Sequence, residues 1–180
     1  MTEEEWLRSD DAAGMLLWLR ANWPGDEANL DRLVKKYCLA CCRRIWKLLP
    51  HINSRKGIKV TRRFLEGTAA LEEFERASWD AEGAYFEISY GTNPGKLARW
   101  QKQVGEISPD QIRLLTNPVA RGDEIVTKDL LTHAAYFAYL ATCFHGRKSQ
   151  YPYRLFNAFM PAPMLRDLID NPFRLETTSK

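Results

Sequence analysis

The sequence predicts an all-α fold: a single domain of about six helices with an irregular, aromatic and proline-rich C-terminal tail packed on it. Three observations lead there. Apolar residues recur at spacings of three and four through most of the chain, the period of a helix with one buried face, and no region is strand-rich. Capping residues stand just before those periodic stretches, and glycine or proline just after them. An apolar fraction of 45% with 12% aromatics, in 180 residues, suffices for one core and argues against disorder.

Taken in order, Thr2 followed by Glu3, Glu4 and Glu5 reads as a hydroxyl cap with a glutamate at the capping-box position. Trp6 and Leu7 add an apolar anchor. Asp10 and Asp11 can cap a second helix that carries Met15, Leu16, Trp18 and Leu19 and ends near Trp23, Pro24 and Gly25. The strongest element spans residues 30–49. Leu30, Leu33, Val34, Tyr37, Cys38, Cys41, Ile45 and Leu48 fall on one side, while Arg32, Lys36, Arg43 and Lys47 fall opposite. Asn29 is the expected cap and Pro50 the stop.

A turn at 51–54 and a helix over 55–66 follow, with Ile58, Val60, Phe64 and Leu65 inward despite Gly57. Gly67 reads as a C-terminal cap and Thr68 as the cap of a helix over 69–89. The run Gly-Thr-Asn-Pro-Gly at 91–95 is a turn, with short helices expected at 97–104 and 109–115 and a loop at 118–123. The last strong helix, 127–144, is stopped by Gly146. One boundary divides the domain into a helical core, 1–149, and the packed tail, 150–180, which holds four prolines and a short helix at 163–170.

Charge is distributed unevenly. The net charge is only +3, yet from Arg32 to Leu65 there are eleven lysines or arginines and no acid. Without those eleven, 15 basic residues face 23 acidic ones, a net of −8. The block lies between acidic segments on both sides. It therefore has two readings. Arg43, Arg44, Lys47, Arg55, Lys56, Lys59, Arg62 and Arg63 could neutralise the phosphates of a nucleic acid, or they could pair with the acids flanking them in the chain. Trp46 and Phe64 lie among them in a helical phase that favours burial over base stacking.

Other chemistries are weaker. Cys38, Cys41, Cys143 and His145 would make a soft four-ligand zinc set, but the first two lie inside a strong amphipathic helix, about two turns in, where small apolar side chains pack and no dipole-stabilised thiolate starts. The expectation is therefore no metal and no cofactor. Neither a phosphate-binding glycine loop nor a nucleophile elbow occurs, and His133, Glu72, Glu73 and Glu75 have no partner motif beside them. No apolar run approaches the roughly 18 residues needed to cross a bilayer. The acidic opening predicts neither a secretory signal nor a transit peptide, and four cysteines, two of them adjacent, predict a reducing cytoplasmic setting.

The stretches MTEEEWL, CLACCRRIWKLL, RRFLEGTAALEEFERA and LRDLIDNPFR together resemble a large set of paralogous, uncharacterised proteins of planctomycete bacteria. Those proteins begin Thr-Glu-x-Glu-Trp-Leu, carry a Cys-Cys-Arg-Arg-Ile-Trp helix and reach an Asn-Pro-Phe-Arg segment. The resemblance covers the chain up to Glu82 and its final segment, but not residues 83–160. It implies a helical, intracellular protein and brings no catalytic residues with it. Relatives often continue past the Asn-Pro-Phe-Arg segment, which implies a shorter member or a truncated module. Expansion of a helical module into many paralogues points, by analogy, to recognition or regulation. The leading functional expectation is thus a non-catalytic protein-interaction or regulatory module, with a protein partner or self-association. Nucleic-acid binding through residues 32–65 is the alternative, and an enzyme whose site is dispersed in sequence is the second alternative.

Overall fold

Local caps set where the helices begin, and the computed structural model, which describes residues 1–90, 93–105, 130–142, 159–169 and 171–173, shows most of them directly. Helix α1 (Glu3–Arg8) starts in a complete capping box. The Thr2 hydroxyl accepts the Glu5 amide at 3.2 Å, and the Glu5 carboxylate accepts the Thr2 amide at 2.7 Å. Helix α2 (Ala12–Asn22) is capped by Asp11, whose Oδ1 accepts the Gly14 amide at 3.0 Å.

The central element differs from its expected limits at both ends. Helix α3 (Glu27–Arg44) begins at Asp26, which accepts the Ala28 amide at 3.3 Å, and so Asn29 is already inside the first turn. At its other end the helix stops at Arg44 and tightens into a 3-10 turn at Trp46–Leu48. Pro50 offers no amide to continue the ladder, and the carbonyls of Trp46 and Leu49 are taken by the Arg55 guanidinium instead.

Helix α4 (Ile52–Leu65) starts three residues earlier than its pattern suggests, because His51 serves as its cap. The His51 Nδ1 accepts the Asn53 amide at 3.1 Å. The helix ends in a Schellman arrangement: the Thr68 amide reaches the Arg63 carbonyl at 2.8 Å and the Gly67 amide reaches Phe64 at 3.0 Å, with Gly67 at φ +74°. Thr68 thus closes α4, its hydroxyl also donating to the Arg63 carbonyl, and does not open α5 (Leu71–Ser89). Helix α6 (Pro94–Val104) is capped by Asn93, with Pro94 in its first turn, so it too starts before the expected 97. Helices α7 (Leu130–Thr142) and α8 (Ala162–Leu168) complete the set among the described residues. The fold class is all-α, and among the described residues there is no strand. The expected helix at 109–115 and loop at 118–123 lie outside the described residues, as does the tail at 150–158 and 174–180.

Helix α3 is the centre of the core. Val34, Tyr37, Cys41, Cys42 and Ile45 are buried against Met15, Leu16 and Leu19 of α2, Phe137 and Ala138 of α7, and Leu165 of α8. Each large side chain buried there contributes roughly 1.5–3 kcal/mol relative to exposure. The described part of the tail does pack on the helices. Tyr37 donates to the Pro161 carbonyl at 3.1 Å, the Arg166 guanidinium donates to the carbonyls of Trp6 and Ser9, and Phe173 stacks on Trp18 at 4.6 Å.

Helices α4, α5 and α7 meet at Gly57. A Cβ at that position would sit 3.0 Å from Thr142 Cγ2, 3.1 Å from the Ala81 Cβ and 3.3 Å from the Ala77 carbonyl. The glycine weakens α4 as a helix but lets three backbones approach. Beside it, Val60, Phe74 and Ala77 form a small second cluster, with Phe64 stacked on Phe74 at 4.6 Å. Among the described residues no helix is long and apolar enough to cross a membrane.

Candidate functional site

Once α3 has buried one side in the core, its outer side carries Arg32, Lys36, Ala40 and Arg43 at helical spacing. Helix α4 holds α5 with Gly57, Val60 and Phe64, which leaves Ile58, Lys59, Arg62 and Leu65 turned to α3. Between the two lies a groove of about 530 Å³, closed at one end by Trp46 of the 3-10 turn and bordered by Leu168 of α8. Its floor is apolar: Leu39, Ala40, Trp46, Ile58, Leu65 and Leu168. Its rim is cationic, with Arg32, Lys36, Arg43, Lys59 and Arg62 against one acid, Glu66.

The rim residues are not equally engaged. Arg32 donates to the Leu65 carbonyl at 2.7 Å and ties α3 to the end of α4. Arg62 lies 3.7 Å from Glu66 in an exposed pair one turn apart, an interaction worth little. The Lys59 ammonium stands 6.0 Å and the Arg55 guanidinium 5.3 Å from the centre of the Trp46 ring, so two cations hold that indole in place. Lys36, Arg43 and Lys59 form no ion pair with a described residue.

Of the eight bases singled out in the sequence, three reach the groove: Arg43, Lys59 and Arg62. Three serve the fold. Arg63 makes a forked pair with Glu73 of α5 at 2.8 and 3.3 Å, Lys56 meets Asp80 at 3.2 Å, and Arg55 is spent on the backbone of the 3-10 turn. Lys47 is exposed on that turn, and Arg44 is half-buried and already engaged. The basic block is therefore divided by α4 into an α5-facing set paired with acids of that helix and a groove-facing set in which Arg62 alone has an acid, Glu66, beside it among the described residues. Two rim cations outside the eight, Arg32 and Lys36, share the face of Arg43 on α3. Their spacing was the available signal, but nothing in the chain marks α4 as the helix that lies opposite.

The thiols sit on the other side of α3. Cys38, Cys41 and Cys42 are buried, and burial pushes the Cys38 thiol up to about 12 and the other two well above the ordinary thiol range. Burial raises the Tyr37 phenol in the same way, with Cys41 and Cys38 beside it. Among the described residues no three metal-ligating side chains come together, while Cys143 and His145 lie outside them.

A second polar cluster joins α4, α5 and α6. Because His51 Nδ1 accepts the Asn53 amide, the ring proton is on Nε2, which donates to Glu87 at 3.0 Å. The Lys96 ammonium binds the other Glu87 oxygen, and Trp100 sets its edge against the imidazole at 5.3 Å. The hydrogen bond from Lys96, and then that from His51, hold the Glu87 carboxyl below its ordinary value. Every member of this cluster has a structural partner, which separates it from Lys36, Arg43 and Lys59 on the rim of the groove. Compared with known proteins, the chain matches no family model, no curated protein and no solved structure, so the reading of the groove rests on its own geometry.

Proposed function

We propose that this chain is a non-catalytic interaction module whose groove between α3 and α4 receives an acidic, apolar-anchored segment of a protein partner. The observation that carries this reading is the groove's composition, an apolar floor under five cations with a single acid. The floor rewards insertion of apolar side chains from water, and the rim selects the charge of what surrounds them. Catalysis finds little support in the same place, since Glu66 is the one carboxylate among the described lining residues and it lies beside Arg62.

Nucleic acid fits the site less well. A phosphate backbone is best matched by a continuous cationic surface, whereas Lys56 and Arg63 are paired with α5 and Arg55 is bound to carbonyls. Trp46, the aromatic in the lining of the groove, has cations at its ring. A library of displayed helical peptides, selected on the immobilised protein, tests the proposal. Enrichment of sequences alternating Glu or Asp with Leu, Phe or Trp, lost on the double substitution Arg43→Glu, Lys59→Glu, is the expected result. Selection without acidic enrichment overturns it, and so does duplex DNA that binds through the same two residues with a steep salt dependence.

A further inference from the structure

We infer that the segment this groove receives is helix α5 of a second copy of the same chain, an inference that rests on the groove's role as a receptor for acidic, apolar segments. Helix α5 buries Phe74, Ala77, Ala81, Ala84 and Ile88. Its opposite side is exposed and carries large apolar side chains among Glu72, Glu75 and Arg76. Trp79 is 72% exposed, Tyr90 71% and Phe86 44%, and with Glu72, Glu75 and Gly83 they make one stripe at spacings of three and four. The Phe86 and Tyr90 rings stack on each other at 5.8 Å, which presents them as a single surface.

Gly83 is the second observation. It lies exposed in the middle of this stripe, and a Cβ built there would meet nothing within 4 Å. No contact within the molecule requires a glycine, which weakens the helix relative to alanine. A bare backbone on an exposed apolar stripe allows close approach by another surface.

Charge then selects the surface. On α5, Glu73, Asp80 and Glu87 are paired with Arg63, Lys56 and Lys96, and Glu82 accepts from Tyr139. Glu72 and Glu75, on the stripe itself, form no ion pair with a described residue. Across the molecule, Lys36, Arg43 and Lys59 are in the same condition above an apolar floor.

A molecule cannot satisfy this pairing alone. Helix α4 stands between the two surfaces, with one side against α5 and another in the groove, so the α5 stripe faces away from its own receptor. A second copy meets no such obstacle. Each copy then offers one stripe and one groove, a head-to-tail contact that propagates unless a ring closes.

Sedimentation velocity of the full chain over a range of concentrations and salt tests this. The expected result is a mean mass that rises past the dimer with concentration and falls with added salt. Trp79→Ala and the double variant Arg43→Glu, Lys59→Glu should each weaken association about tenfold or more. Mixed together they should form a heterodimer, because the first keeps its groove and the second keeps its stripe. Gly83→Gln should weaken association without lowering thermal stability. A wild-type chain that stays monomeric overturns the inference, as does a dimer that the mixture fails to restore. If the monomer still selects acidic peptides, the groove reading stands and only its occupant is wrong; if it selects none, both fall.

Discussion

His51 Nε2 lies 3.0 Å from Glu87 Oε2 while Nδ1 of the same ring caps α4, so one side chain joins the start of α4 to the last turns of α5. Replacing it should expose both roles. His51→Ala is expected to lower stability by about 1 kcal/mol or somewhat more, the usual range for a lost cap. His51→Asn, which keeps a capping oxygen, should recover part of it. Denaturant unfolding of the three proteins checks this, and equal midpoints for wild type and His51→Ala would refute it.

Glu87 predicts an acid limb of the stability curve. Its folded-state value is lowered below the ordinary 4.5 by Lys96 and His51. A carboxylate depressed on folding contributes stability above its unfolded value and loses it as the pH falls through the folded one. Glu87→Gln should therefore lower the melting temperature at pH 7 and make a smaller difference at pH 3. A substitution with the same effect at both values would remove the ionised form from the account.

Two glycines in neighbouring helices should respond in opposite senses. Gly57→Ala places a methyl 3.0–3.3 Å from Thr142, Ala81 and Ala77 and should destabilise by about 1–3 kcal/mol, despite alanine's better helix propensity. Gly83→Ala meets open space and should stabilise by about 0.5–1 kcal/mol. Thermal melts of the two variants at low protein concentration, where association does not contribute, measure the contrast.

The three thiols of α3 should be inert in the native state. With burial pushing Cys38 up to about 12 and holding Cys41 and Cys42 well above the ordinary thiol range, alkylation at pH 8 should leave all three unmodified until denaturant is added. Peptide mapping by mass spectrometry distinguishes them. Labelling of Cys38 at the rate of a free thiol would show that the core around α3 opens readily.

Local chemistry was legible wherever a residue acts on its own neighbours. The Thr2–Glu5 capping box, the Asp11 cap and the Gly67 stop are each contained in a few consecutive residues, and they stand where the chain predicts them. Two expectations failed where a distant group decided the outcome. The break after Arg44 depends on Arg55 reaching back for two carbonyls, and a histidine cap at residue 51 carries no usual sequence signal but is braced by Glu87, thirty-six residues on. Thr68 satisfied the pattern of a helix start, yet the hydrogen bonds of the Schellman stop claimed it first.

By itself, the sequence determined that the protein is all-α, that α3 buries a wide apolar side, and that an acid-free run of eleven bases lies between acidic segments. Periodicity and composition carry that information, because burial follows side-chain chemistry turn by turn. Only the tertiary structure decided which bases are spent and which remain. Packing at Gly57 and Phe64 sets the rotation of α4, and that rotation turns Lys56 and Arg63 toward α5 and Lys59 and Arg62 toward α3. A groove built from residues 32–46, 58–66 and 168 belongs to contacts far apart in the chain, and helical phase within one segment cannot specify which segment will lie across from it.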